Sequence, residues 1–522
     1  MDGLPLILLM LSALAVTAMS RRFSLPSPLA LVVAGLAISA IPGIPDYQLD
    51  PDLVLYAILP PLLYSAALDS SALQIRANLR AIALLAVGLV LFTTASVGLV
   101  AWWLVPGLAL PAALALGAVV APPDAVSAVA IGRSLGLPRR VMTVLAGESL
   151  FNDATALTAL GVAVAATVGG GFSLAGGLGD FVLVGAGGVA MGAVLGRVVH
   201  QVRLRLGDPR LESALGLVVP FAAYALAEQV HVSGVLAVVV TGLYLGHHAP
   251  EAGYATRLQD QAVWRAADTV LEAFVFALIG LQLPSVVGGV ADAGPLLVAA
   301  AAVLATVVLA RVIWLFPATY LPRMLFTRIR THDPAPPWQV PAVLSWAGMR
   351  GVVTLAAAFS IPLSTNAGDP FPGRSEIIFV AFFVTVATLL LHGLTLPWVI
   401  RRLGVQSRES HGDALAEADA IHAATQAALQ RLDSASVGAP ESVTTRLRAA
   451  AEYRSHGVWE RLGRPETELG EAPSVIYRRL RLEMLAAERE TLVGLRDAGR
   501  LNDDVLSRTL HELDLEEAML SR

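Results

Sequence analysis

Ala146-Gly147-Glu148-Ser149-Leu150-Phe151-Asn152-Asp153-Ala154-Thr155 places two carboxylates in the middle of an apolar run, 140–168, that is long enough to cross a bilayer as a helix. An ionised carboxylate at mid-membrane costs about 2.5 kcal/mol or more, so such residues face a cavity and mark an ion or proton path. At helical spacing Ser149 and Asp153 share one face, while Glu148, Asn152 and Thr155 form the neighbouring stripe. The first face can hold a small cation. The second can take a partner from another helix.

Outward from this stretch the chain is apolar nearly everywhere. Of its 522 residues 56% are hydrophobic and 15% charged, with a mean hydropathy of +0.67, and long apolar runs recur from Leu4 to about Ile400. That composition is a polytopic membrane protein. With no cysteine there is no disulfide, thiolate metal site or cysteine nucleophile, and with no lysine every fixed cation is an arginine. The net charge of -5 says little about partners, and there is no basic block that would argue for nucleic acid. The run Leu4–Met19 has no positive residues before it and Arg21-Arg22 after it, which reads as a retained span and not a cleaved signal peptide.

Taking about 20 residues per span, the pattern predicts thirteen segments: 3–20, 26–44, 51–68, 79–105, 109–131, 140–168, 179–199, 212–229, 232–247, 266–284, 293–319, 340–361 and 376–400. Arginines fall in alternate loops, from Arg21-Arg22, Arg76 and Arg80 through Arg133, Arg139 and Arg140 to Arg323, Arg328 and Arg330. The opposite loops carry Asp46, Asp50, Asp180 and Asp292, with Arg374 the one arginine. The positive-inside rule therefore predicts an external N-terminus and a cytoplasmic C-terminus in a multi-pass cell-membrane protein. After Arg401-Arg402 the composition turns to Glu, Asp, Arg and Ala with periodic Leu. This predicts a cytoplasmic helical domain, 403–522, with amphipathic helices near 414–432, 443–462, 475–495 and 504–520. Its regulator, if it has one, is unknown.

Two further interruptions lie within spans. In Val120-Ala121-Pro122-Pro123-Asp124-Ala125-Val126 adjacent prolines remove backbone donors and break the helix, and Asp124 opens the resumed helix at the positive end of its dipole. Ser345-Trp346-Ala347-Gly348-Met349-Arg350-Gly351-Val352-Val353-Thr354 sets glycines around a mid-membrane arginine. A buried guanidinium calls for a counter-charge, and by depth Glu148 is the expected partner of Arg350. Broken helices lining a cavity are how many secondary transporters build a site. The breaks fall at matching positions of spans 1–6 and 8–13, which reads as an inverted repeat with the seventh span as linker. Among weaker signals, Glu272 and Arg311 are expected to neutralise each other. Glu228 and His231 mark a helix end, His247-His248 are a poor metal site, and Trp102, Trp103, Trp264 and Trp398 read as interfacial anchors.

Glu148–Asp153, Pro122-Pro123-Asp124-Ala125-Val126, Gly348-Met349-Arg350-Gly351 and Ser233-Gly234-Val235-Leu236-Ala237-Val238-Val239-Val240-Thr241-Gly242 together resemble the sodium/proton exchanger family, in particular its NhaP-type bacterial members related to the eukaryotic exchangers. The resemblance spans residues 1–402. It implies an all-α antiporter that is not an enzyme: a homodimer among membrane lipids whose unwound fifth and twelfth spans cross near the ion site, with the core domain moving against the dimerisation domain. It also implies Asp153 as the shared carrier of a monovalent metal cation and a proton, Asn152 as its neighbour, Ser149 and Asp124 as ion-binding residues, and Glu148 with Arg350 as a structural charge pair. Two positions depart from the family pattern: Pro123 stands where a threonine is common, and Ser65 where many members carry an acidic residue after Pro60-Pro61.

Physically, oxygen ligands from Asp153, Ser149, carbonyls freed near Ala121 and water suit a hard cation such as sodium, potassium or lithium. Burial favours the protonated carboxyl and a bound cation the ionised one, so proton and cation compete for one site. One carboxylate predicts one-for-one, electroneutral exchange without a cofactor. A cation channel, a cation-coupled solute symporter and an intramembrane aspartyl protease using Asp124 and Asp153 are the alternatives. The protease reading is weakened because neither aspartate sits in a Gly-x-Gly-Asp pattern.

Overall fold

A computed structural model describes residues 3–23, 25–41, 51–169, 174–290, 293–405, 409–436, 439–463, 473–498, 500 and 503–520. The expected acidic loop residues Asp46, Asp50 and Asp292 lie outside them, as does the loop end of the 26–44 segment. The described residues are helical apart from turns and one isolated bridge, Ser364 with Pro370. The chain divides into two compact units, Met1–Ser407 and Arg408–Arg522.

Among the described residues of the first unit seven helices are long and apolar enough to cross a membrane: Leu79–Leu104, Arg139–Gly169, Gly179–Leu206, Pro209–Gln229, Tyr254–Gly288, Gly294–Leu325 and Arg374–Leu403. Four shorter apolar helices, Ser27–Ser39, Leu53–Leu68, Leu110–Val120 and Gly234–His247, pack among them. Small residues set the closest approaches: a side chain on Gly35 would meet Gly280 Cα at 2.9 Å, and one on Gly117 would overlap the Thr94 carbonyl. Without a solvent-driven collapse between helices in lipid, such close backbone contact is a main source of association.

Local irregularities follow from the sequence. The turns Leu53–Ile58 and Leu84–Leu89 are wide π turns. Ahead of Pro60-Pro61 the ladder loses two donors. In the second π turn the Leu84 carbonyl accepts a hydrogen bond of 2.9 Å from Trp314 Nε1. Polar partners from a neighbouring helix thus stabilise a widened backbone.

Two apolar segments are interrupted. Leu110–Val120 stops before Ala121-Pro122-Pro123-Asp124 and resumes as Ala125–Ser134; Gln339–Trp346 stops before Ala347-Gly348-Met349-Arg350-Gly351 and resumes as Val352–Phe359. The breaks touch, since the Asp124 amide donates to the Met349 carbonyl at 2.7 Å. Each break thereby satisfies backbone groups that the prolines and glycines left without helical partners.

The second unit contains the helices Glu409–Ala435, Glu441–Gly463, Pro473–Asp497 and Asp503–Leu520. Its last two are laced by Arg481 with Glu516 (2.7 Å) and Arg489 with Asp514 (2.7 Å) and Glu517 (2.6 Å). Among its described residues Ala418, Ala451, Leu485, Leu506 and Leu513 are buried.

Candidate ion-exchange site

Asp153 lies midway along Arg139–Gly169 and is only 6% exposed. It lines a cavity of about 630 Å³ together with Asp124, Ser127, Ser149, Asp268 and Glu272. Among the described residues its carboxylate has no hydrogen-bond or ion-pair partner. A largely buried carboxylate without a partner is expensive unless a cation, a proton or water binds it. The cavity also reaches Arg21, Asp69 and Arg133, at arginine-rich ends of the segments.

Asn152 faces another way. It is fully buried, and its Nδ2 donates to the Pro123 carbonyl at 2.7 Å, fastening the charged helix to the proline break. A carboxylate at this position could not donate that bond, which is the physical reason for an amide beside Asp153. Ser149 is on the cavity wall, as its spacing from Asp153 predicts. Asp124 is half-buried at the start of Ala125–Ser134, against the second break. A side chain on Gly351 would sit 2.5 Å from Asp124 Oδ2.

The expected pairing of Glu148 with Arg350 is not what the structure contains. Glu148, 1% exposed, is held by Arg311 in a two-pronged bridge, Nη1 to Oε1 at 2.5 Å and Nη2 to Oε2 at 2.9 Å, while Arg311 Nε donates to the Leu344 carbonyl at 3.0 Å. Arg350 instead caps the interrupted helix Leu110–Val120: Nε donates to the Val120 carbonyl at 3.0 Å, Nη2 to that of Ala121 at 3.3 Å, and Nη1 to that of Gly348. The negative end of a broken helix with its unpaired carbonyls serves a cation in place of a carboxylate. Gly348 is required because Arg311 Cδ lies 2.7 Å from where its Cβ would be. The expected pair of Glu272 with Arg311 fails for the same reason: Arg311 is committed to Glu148, and Glu272 faces the cavity.

Ser127 and Asp268 line the cavity but were not singled out in the sequence. Ser127 is 1% exposed, and its hydroxyl oxygen has no hydrogen-bond partner among the described residues. Asp268, one turn before Glu272 on Tyr254–Leu281, accepts a hydrogen bond of 2.5 Å from Ser65, and its Oδ1 has no partner among the described residues. The spacing of Asp268 and Glu272 on one helical face was the available signal. Of the expected anchors, Trp102, Trp103 and Trp398 are exposed, whereas Trp264 is 7% exposed and packs on Tyr64 with ring centroids 5.2 Å apart. His231 occupies a left-handed turn after Gln229.

Residues 8–402 match the family model described as "Sodium/hydrogen exchanger, transmembrane". The chain belongs to the sodium/hydrogen exchanger family. It is a multi-pass membrane protein of a family of cation:proton exchangers, which are transporters and not enzymes. An uncharacterised Na(+)/H(+) exchanger of Mycobacterium tuberculosis strain H37Rv is 35% identical over 99% of this chain and 96% of that protein. The Na(+)/H(+) antiporter ApNhaP of Aphanothece halophytica is 31% identical over 94% and 91%. A "Sodium, potassium, lithium and rubidium/H(+) antiporter" of Bacillus pumilus is 33% identical over 75% of this chain and 60% of that one. The fold is that of the sodium proton antiporter MjNhaP1 of Methanocaldococcus jannaschii, with a TM-score of 0.60, 18% identity, and coverage of 76% of this chain and 97% of that one.

Proposed function

We propose that this exchanger swaps one sodium ion for one proton across the cell membrane, with the Asp153 carboxylate carrying either but not both. The single observation behind this reading is that Asp153 is only 6% exposed, lines the cavity, and has no hydrogen-bond or ion-pair partner among the described residues. In the proposed cation-loaded state Ser149, Ser127 and Asp124 complete an oxygen shell with water, suited to a hard monovalent ion. Asn152 sets the position of the charged helix against the break. Glu148 and Arg311 are fixed structural charges, and Arg350 holds the interrupted helix. No cofactor is needed, because the competing ions are themselves the cargo.

The cavity's reach to Arg21 and Arg133 supports a conformation open to the cytoplasm, with the N-terminus outside and the C-terminus inside. Alternating access then exposes the same carboxylate to the other side, in a homodimer whose core domain moves against its dimerisation domain. The test is a pH-dye assay in everted vesicles, adding sodium, potassium and lithium in turn to wild type and Asp153→Asn. Cation-evoked proton movement is expected in wild type, largest with sodium, and none in the variant. Full exchange by the variant would overturn the assignment.

A further inference from the structure

Away from the exchange cavity, among the described residues, one carboxylate of the membrane unit is shared by several guanidinium groups. Asp333 is divided among three arginines: Oδ1 accepts from Arg140 at 2.6 Å, and Oδ2 from Arg80 at 2.6 Å and Arg323 at 2.7 Å. Arg328 lines the same cavity, of about 490 Å³, beside Asn78, Arg80, Arg140 and Asp333. Three arginines thus share one aspartate, and a fourth, Arg328, lines the cavity beside them. Arg80 Nη1 is buried without a hydrogen-bond partner among the described residues. A charged donor left unmet in a buried position costs free energy that a purely structural latch would avoid. Arg140 and Arg80 nevertheless stay accessible, with side chains 47% and 33% exposed.

We propose that this arginine-lined cavity binds a phosphate group, either from a phospholipid headgroup or as free phosphate. Guanidinium forks match paired phosphate oxygens, and several converging forks make the match specific. Arg140 also lies in the first turn of Arg139–Gly169, so the positive end of that long helix adds to the field. Arginine-rich loops place the cavity at headgroup depth. In this arrangement Asp333 is an internal competitor: it occupies the guanidiniums when phosphate is absent and yields them when phosphate arrives. Asp333 also precedes Gln339–Trp346, the first half of the segment that carries Arg350, which connects the cavity to an element of the exchange core.

The competitor role separates a ligand site from a latch. The full chain, purified in neutral detergent, is titrated with radiolabelled inorganic phosphate by equilibrium dialysis. In parallel it is placed in nanodiscs of phosphatidylcholine with and without phosphatidylglycerol, and retained lipid is counted by native mass spectrometry. Phosphate binding or retained phosphatidylglycerol in wild type, lost in Arg140→Gln/Arg328→Gln, supports the site, and the arm that responds identifies the source. Asp333→Asn is expected to tighten binding about tenfold, because one competing charge is gone. Binding in neither arm, binding unchanged in the double variant, or weaker binding in a monodisperse Asp333→Asn protein would overturn the proposal. The double variant alters two accessible side chains and decides the matter if Asp333→Asn fails to fold.

Discussion

Substituting Glu148 by glutamine keeps the shape of the side chain and removes its charge, leaving Arg311, 2% exposed, without an anion. Arg311 makes two hydrogen bonds to Glu148 and one to the Leu344 carbonyl, so two of its three contacts weaken at once. Breaking one side of a buried pair costs about 3–5 kcal/mol, because the surviving charge is uncompensated. Removing both sides costs less than the sum, since Glu148→Gln/Arg311→Gln leaves no orphan charge. A double-mutant cycle should therefore give a coupling of about 2–3 kcal/mol for Glu148 with Arg311. Arg350 neighbours the pair, both guanidinium chains flanking Gly348, so its coupling to Glu148 is not zero but should stay below about 1 kcal/mol. Unfolding free energies from SDS titration in mixed micelles measure both cycles. A larger coupling to Arg350 than to Arg311 would refute the charge assignment.

Gly351→Ala should abolish exchange, because its Cβ would stand 2.5 Å from Asp124 Oδ2 and cost about 1–3 kcal/mol of overpacking at the break, whereas Gly161→Ala, with nothing within 4 Å, should leave dye-assay rates unchanged. Burial would push the Asp333 carboxyl up, but hydrogen bonds from Arg140 and Arg323 outweigh it and hold it below the usual range. A lowered folded value means the contribution is present above the ordinary aspartate value of about 3.9 and fades as pH falls through the lowered one, so the melting advantage of wild type over Asp333→Asn should persist at pH 5 and shrink only below about pH 4. The chain has no cysteine, so Ala130→Cys, on the cavity wall, is a clean probe: a membrane-impermeant maleimide should label it from the cytoplasmic face, and labelling only from outside would reverse the proposed orientation.

The backbone events of the site are legible in the sequence because their causes are local. Pro122-Pro123 cannot continue a helix, and the glycines around Arg350 are read directly, so the positions of both interruptions follow from the residues themselves. Asp153 is legible because a carboxylate in an apolar run is too costly to be incidental. The partner of Glu148 is not. Depth along a span can be counted from residue numbers, but the direction in which a helix turns its side chain depends on packing, and Arg311 and Arg350 both lie against Gly348. Nor does a buried arginine always need a carboxylate: the end of the very helix broken by Pro122-Pro123 supplies carbonyls in its place. Trp264 departs from expectation for a similar reason. Its position near a span end suggests an interface, and Tyr64 from a distant segment buries it.

The pairing of Glu148 with Arg311 strengthens the proposal of one-to-one exchange. Glu148 and Arg311 cancel, and Arg350 is a fixed cation held by carbonyl oxygens beside the Met349–Asp124 backbone bond. Counting Asp124 as ionised, at the favourable end of Ala125–Ser134, balances Arg350. These four charges sum to zero, and on the proposed reading Asp153 alone varies. On the proposed reading, Asp153 with a proton is neutral and Asp153 with a sodium ion is neutral, so both loaded states carry the same charge through the membrane. The empty state carries one uncompensated negative charge, and at mid-membrane that is the costly one. The same charge balance that makes both loaded forms electrically equivalent therefore disfavours movement of the unloaded carrier. Coupling then needs no gate beyond the desolvation of Asp153. A transport current that reverses with membrane voltage in proteoliposomes would show that another group changes charge during the cycle, and Asp69, Asp124, Asp268 and Glu272, which also line that cavity, are where it would have to be sought.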